Sequence, residues 1–202
     1  MILIKKRKKM KKIFILLTLV LLFLNSCDVN TEANVKMSGG QEDQATFEKQ
    51  IETHSTFAKG FKEENMEMLM STIADSLKWS PAFYNGNQIL SADDFKSQIQ
   101  VYFDQFDDIT FNPGQGLINE NAPAYWAGSH FSSGDNMATS SPLVMRAYGI
   151  WSAIHTETGA KVFNKWYGVL GFNSDGKVAE ISDWMDINGM QAQIENYVAN
   201  KE

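Results

Sequence analysis

A change of character at Asp108 constrains the fold of this chain more than any other feature. Before it, apolar residues recur at helical spacing. Phe47, Ile51, His54, Phe57, Ala58 and Phe61 predict an amphipathic helix ending near Lys62, and Met66, Leu69, Met70 and Ile73 predict a short second one. A strand over 77–80 is expected to stop at Pro81, because proline brings no N–H to a ladder. After the turn Tyr84-Asn85-Gly86-Asn87, Ser91 and Asp94 stand at capping-box spacing and open a third helix carrying Phe95, Ile99, Tyr102, Phe103 and Phe106. Beyond Asp108, β-branched and aromatic residues dominate, punctuated by Gly, Asn, Ser and Pro. Strands are expected over 109–111, 124–131, 143–154, 160–172 and 177–185. Thr156-Glu157-Thr158-Gly159 and Asn173-Ser174-Asp175-Gly176 are the hairpin turns between the last three. Residues 112–142, where small and polar residues surround Tyr125, Trp126 and His130, read as a long loop, an extra hairpin or a lid. Helices first and antiparallel strands after describe an α+β fold with the helices packed on one face of the sheet.

The start of the chain bears on where that domain works. Seven basic residues between Lys5 and Lys12 run into an apolar segment over 13–24, which ends at Asn25-Ser26-Cys27. A charged region, a short apolar region and a small residue at the cut make a secretory signal. The apolar segment falls short of the roughly 20 residues that a membrane span needs. Leu24, Ser26 and Cys27 resemble a bacterial lipoprotein signal, in which cleavage before the cysteine is followed by its acylation. The resemblance implies a signal peptide over 1–26, a lipid anchor at Cys27 and a place in the bacterial cell envelope, outside the cytoplasm. Residues 27–44 are polar and small without apolar periodicity, and read as a flexible tether. Residues 45–202 have the size of one domain.

Composition excludes several kinds of chemistry. The segment before Cys27 takes seven of the 18 Lys and Arg and none of the 24 Asp and Glu, so the remainder carries 11 against 24, formally −13. A surface that acidic repels phosphate backbones, and no nucleic-acid partner is expected. With one cysteine in the chain there is no intrachain disulfide and no zinc–thiolate site. The three histidines, His54, His130 and His155, have no spacing that suits a metal. No metal and no cofactor are expected.

Several segments together resemble the nuclear transport factor 2-like superfamily, which includes the SnoaL-like polyketide cyclases and the ketosteroid isomerases. They are Ala74-Asp75 through Trp79 and Pro81, the Gly86 turn, Thr158-Gly159-Ala160-Lys161, Phe172-Asn173, Gly176-Lys177-Val178-Ala179-Glu180 and Trp184-Met185-Asp186. The resemblance implies a cone in which three helices close a strongly curved, mainly antiparallel sheet around a pocket. It also places Ser80, Gly168 and Phe57 where an isomerase of this kind carries its base and its two acidic donors. All three functional groups are missing, which argues against that chemistry.

The same register turns Ile181, Asp183 and Met185 toward the pocket, beside Trp166, Gly168, Leu170 and Phe172 of the neighbouring strand. Phe57, Trp79, Trp166, Leu170, Ile181, Asp183 and Met185 are therefore the candidate ligand-binding residues. Asp183, or Asp186 close to it, is a candidate acid or base, because desolvation raises a carboxylate's pKa. His130 is the candidate partner if its segment forms a strand. The plain alternatives are a solvated strand end for the two aspartates, or an ion pair with Arg146. His54 reads as a helix-packing residue and His155 as a solvated one. Three roles stay open: a binder of a small apolar molecule, an enzyme of SnoaL-like type, and a dimerisation domain.

Overall fold

The computed structural model describes residues 41–118, 123–128 and 142–201. The expected signal peptide, Cys27, residues 27–40 of the tether, and His130 lie outside them. Helix α1 (Gln41–Lys62) is followed by α2 (Met66–Ser71), β1 (Ile73–Ser80) and α3 (Ala92–Gln105). Then come β2 (Phe106–Pro113), β3 (Tyr125–Ala127), β4 (Val144–His155), β5 (Lys161–Phe172) and β6 (Val178–Met185), and the described chain closes with α4 (Ile187–Ala199). The architecture is the expected α+β one, and several details differ from the sequence reading. Phe106, read as the end of the third helix, is extended and opens β2, which runs through Pro113 rather than over 109–111 alone.

Helix α1 begins at Gln41, so residues 41–44 are helical where composition read as tether; Glu42 and Asp43 in its first turn suit the positive end of the helix dipole. Strand β1 starts at Ile73, four residues before the β-rich Leu77, because Ile73 pairs with Val178 and tertiary pairing overrides weak local propensity. Of the expected strand over 124–131, only Tyr125–Ala127 is a strand among the described residues. Helix α4 was not anticipated at all.

The sheet runs β1-β6-β5-β4-β2, with β3 also paired to β4. All neighbours are antiparallel except β1 and β6, which are parallel. Register shifts interrupt the β1–β6, β2–β4 and β5–β6 pairings. Such irregularities bend strands and add twist, so they curve the sheet. The hairpin turns fall as predicted, with Gly159 and Gly176 at φ +76° and +77°. At the mouth of α3 the capping box forms in full: the Ser91 hydroxyl accepts from Asp94 N, and the Asp94 carboxylate accepts from Ser91 N.

Helix α1 lies tight on α2 at Gly60, where an added Cβ would sit 2.8 Å from Leu69 Cα; only glycine permits that approach. One apolar core joins Leu69, Ile73, Leu77, Met145, Val162, Leu170 and Val178, with Ile194 contributed by α4. Each fully buried aliphatic side chain there stabilises the fold by roughly 2 kcal/mol.

Candidate functional site: a carboxylate in an aromatic cavity

Strand β5 alternates strictly between Lys161 and Trp166, so that Val162, Asn164 and Trp166 are buried while Lys161, Phe163 and Lys165 are exposed. The pleat therefore directs the even-numbered residues inward. On β6 the inward set is Ile181, Asp183 and Met185, and Asp183 stands opposite Gly168 in the ladder. A side chain at Gly168 would meet the ring of Trp166, with Cη2 only 2.3 Å from an added Cβ. The missing side chain opens room, and the Trp166 indole occupies it.

That position lets Trp166 Nε1 donate to Asp183 Oδ2 at 3.1 Å. From the other side, Trp79 Nε1 donates to Asp183 Oδ1, also at 3.1 Å. Trp79 is held by an isolated bridge to Leu90, with N–H···O distances of 2.9 and 2.8 Å, and by an edge contact with Phe95. Both carboxylate oxygens are thus engaged by neutral donors. Burial pushes the Asp183 carboxyl above the usual carboxylate range, and the two indole N–H groups pull in the opposite direction. The Tyr102 hydroxyl is pushed up as well, chiefly by burial and secondarily by the Asp183 charge.

Asp183 borders a cavity of about 100 Å³. All seven candidate ligand-binding residues line it: Phe57, Trp79, Trp166, Leu170, Ile181, Asp183 and Met185. Sequence reasoning missed Phe95, Tyr102, Phe106 and Trp151 on the walls, and Phe83 and Met190 from the β1–α3 connection and α4. A signal for Met190 was present: Asp186 precedes Ile187, Met190 and Ile194 at helical spacing, the pattern of a cap followed by an amphipathic helix.

The other candidates part from this site. Asp186 is the N-cap of α4; its Oδ1 accepts from Gly189 N at 2.8 Å, and it is exposed and absent from the cavity wall. The Asp183–Arg146 ion pair does not form, since Arg146 donates to the Gly128 carbonyl while Asp183 is held by the indoles. His155 is half-buried rather than solvated, with Nδ1 2.9 Å from the Thr158 hydroxyl. His54 packs as expected, fully buried among Phe57, Phe111, Tyr125 and Trp166. Among the described residues, no three His, Cys, Asp or Glu side chains gather as a metal site would require, and no helix is long and apolar enough to cross a membrane.

Similar architecture recurs in solved structures. A candidate polyketide cyclase from Xanthomonas campestris superposes with a TM-score of 0.53 at 10% identity, covering 74% of this chain and 98% of that one. PrhC from Penicillium brasilianum gives 0.52 at 16% identity over 77% and 91%. AclR, a candidate hydroxylase from Streptomyces galilaeus, gives 0.51 at 13% identity over 74% and 86%. The fold is the nuclear transport factor 2-like cone. At such identities the likeness concerns architecture alone. No family model matches the sequence, and no curated protein does.

Proposed function

We propose that the protein binds a small, mainly apolar organic molecule in the cone cavity, outside the cytoplasm, tethered to a membrane through acylated Cys27. The observation that carries the binding is the cavity itself. Space left among apolar side chains forfeits packing contacts and costs stability, so a core otherwise closely packed retains it against its own energetics. An apolar pocket with few polar groups is the usual form of a small-molecule site. The anchor rests on the basic segment, the short apolar run and Cys27.

Organic extraction of the purified full chain, followed by mass spectrometry, is the test. The native protein is expected to release a small molecule that an Ile181→Trp chain, its cavity filled, does not. Equal recovery from both would sink the binding reading. Incorporation of labelled fatty acid into the native chain but not into Cys27→Ser tests the anchor.

A second reading, catalysis by Asp183 as an acid or base, is favoured by its raised pKa beside open space. The extract would then hold a substrate and product pair from the native chain and a single compound from Asp183→Asn. Association with a second copy is favoured by a row of rings across the sheet. Trp126, Tyr148, Tyr167 and Trp184 follow one another at 4.7, 4.6 and 5.2 Å between centroids, and Trp184 is more than half exposed. Sedimentation of the native chain and of Trp184→Ala separates a dimer through this face from a monomer.

A further inference from the structure

The polar groups of the cavity wall are few, and most are committed elsewhere. Asn164 donates to the Asp186 carbonyl at 3.0 Å and accepts from Asp186 N at 2.9 Å, tying β5 to the start of α4. The Ser152 hydroxyl accepts from Asn112 Nδ2 at 3.3 Å. That leaves Asp183 and Tyr102 on the wall. Among the described lining residues there is no Lys, Arg or His.

A carboxylate has about four acceptor positions, and the indoles use two of them. Indole N–H groups satisfy hydrogen bonding without cancelling charge. Asp183 is half-buried. A partly desolvated anion with no cation beside it is costly in proportion to the water it has lost, and a proton or a positive charge from elsewhere offsets that cost. The walls discriminate between these. A proton on Asp183 needs an acceptor for its O–H but no aromatic surface, and aliphatic walls would serve as well. The cavity is instead walled by Phe57, Trp79, Phe95, Tyr102, Trp151 and Trp166. Aromatic faces attract a desolvated cation through their quadrupole, and a carboxylate among them completes the arrangement that recognises alkylammonium groups. The acidic excess of the chain, formally −6 over the full sequence, favours the approach of cations.

We propose that the molecule held in this cavity is an organic cation, an amine or quaternary ammonium whose charge lies against Asp183 and whose alkyl groups lie against the aromatic walls. The inference rests on the reading of the cavity as a small-molecule site and adds the class of ligand.

The test compares choline with 3,3-dimethylbutan-1-ol, its neutral isostere, by isothermal titration of the full chain in maltoside micelles, with empty micelles as the blank. Choline is expected to bind at least tenfold more tightly than the alcohol. The preference should shrink to within about twofold in Asp183→Asn and persist in Trp184→Ala, whose ring lies outside the cavity. Should Asp183→Asn not fold, Ile181→Trp takes its place and is expected to abolish choline binding. Equal or tighter binding of the alcohol would overturn the cation inference while leaving the small-molecule reading intact. Absence of choline binding at millimolar concentration would also overturn it, and the extraction experiment then judges the broader reading separately.

Discussion

His54 and Asp183 are both polar groups set in the aromatic interior, and both use the Trp166 indole. His54 stacks on it at 5.7 Å between ring centroids, while Asp183 accepts its N–H. Their circumstances are otherwise opposite. His54 has no solvent exposure; its Nδ1 lies 3.4 Å from the Tyr125 hydroxyl, and its Nε2 has no partner among the described residues. Its Nε2 goes without a hydrogen bond, but the ring carries no charge, since burial lowers its pKa to about 4. Asp183 has its hydrogen bonds and lacks a counter-charge, and only Asp183 borders open space. A polar group sealed on all sides can influence only stability. A polar group beside a void can meet a ligand, and this difference, more than burial, separates a core residue from a site.

The largest effect expected from this contrast is the acid response of His54. In the unfolded chain the imidazole takes up a proton near pH 6.5, whereas in the folded chain it resists until about pH 4. Its contribution is therefore fully present above about pH 6.5 and is lost as pH falls toward 4, by about 3 kcal/mol. The groups facing it are Tyr125 from β3, Phe111 from β2, Trp166 from β5 and Phe57 on its own helix, none of them charged at these pH values. Urea denaturation across this range should show the loss in the native chain, and a His54→Phe chain should lack that component. An unchanged slope would mean that His54 titrates normally.

Next in size is Gly168→Ala. A methyl group there overlaps the Trp166 ring, so the indole must swing away and withdraw its N–H from Asp183. Overpacking of this kind costs about 2 kcal/mol. The carboxyl should also rise further in pKa, because a donor that favours its charged form is lost. A carboxyl titration followed by NMR, together with urea denaturation, reads both. A stability loss without a shift at Asp183 would show that the ring relaxes without leaving the carboxylate.

The contrast also separates what was legible in the sequence from what was not. The helices over 47–62 and 92–105 and the three long strands follow from period and turn chemistry, and Ser91 and Asp94 announce their own cap. The inward set Ile181, Asp183 and Met185 follows from strand alternation once one position is oriented. The bonds that make Asp183 unusual do not follow. Trp79 reaches it across 104 residues through the parallel β1–β6 pairing, for which no local signal exists. Asp186 was open to misreading because a carboxylate at a strand end and a carboxylate capping the next helix look alike until Ile187, Met190 and Ile194 are read together. The same oversight left Met190 out of the cavity wall.

Ser91→Ala, remote from both polar groups, should cost about 1 kcal/mol through the lost cap. The Ser91 hydroxyl is also the first cause holding the Asp94 carboxyl below its ordinary range, so the variant should soften the acid loss only below that range and leave the His54 and Asp183 responses in place, which makes it the control for the two variants above. Asp183→Asn should change stability least at neutral pH. The substitution removes a desolvated charge, a gain, and leaves one indole N–H facing the amide NH2 with no acceptor, a loss of similar size. Its clearer mark is on the slope. Because the folded pKa of Asp183 is raised, the folded chain holds its proton after the unfolded chain has released it. The contribution of Asp183 is then fully present below the ordinary carboxylate range and is lost as pH rises through the folded value, the reverse of the His54 effect. Asp183→Asn should abolish that decline while leaving the acid loss due to His54 in place. If a bound cation neutralises the carboxylate, adding choline to the native chain should flatten the same decline without any substitution, because the charged form would then carry its own partner.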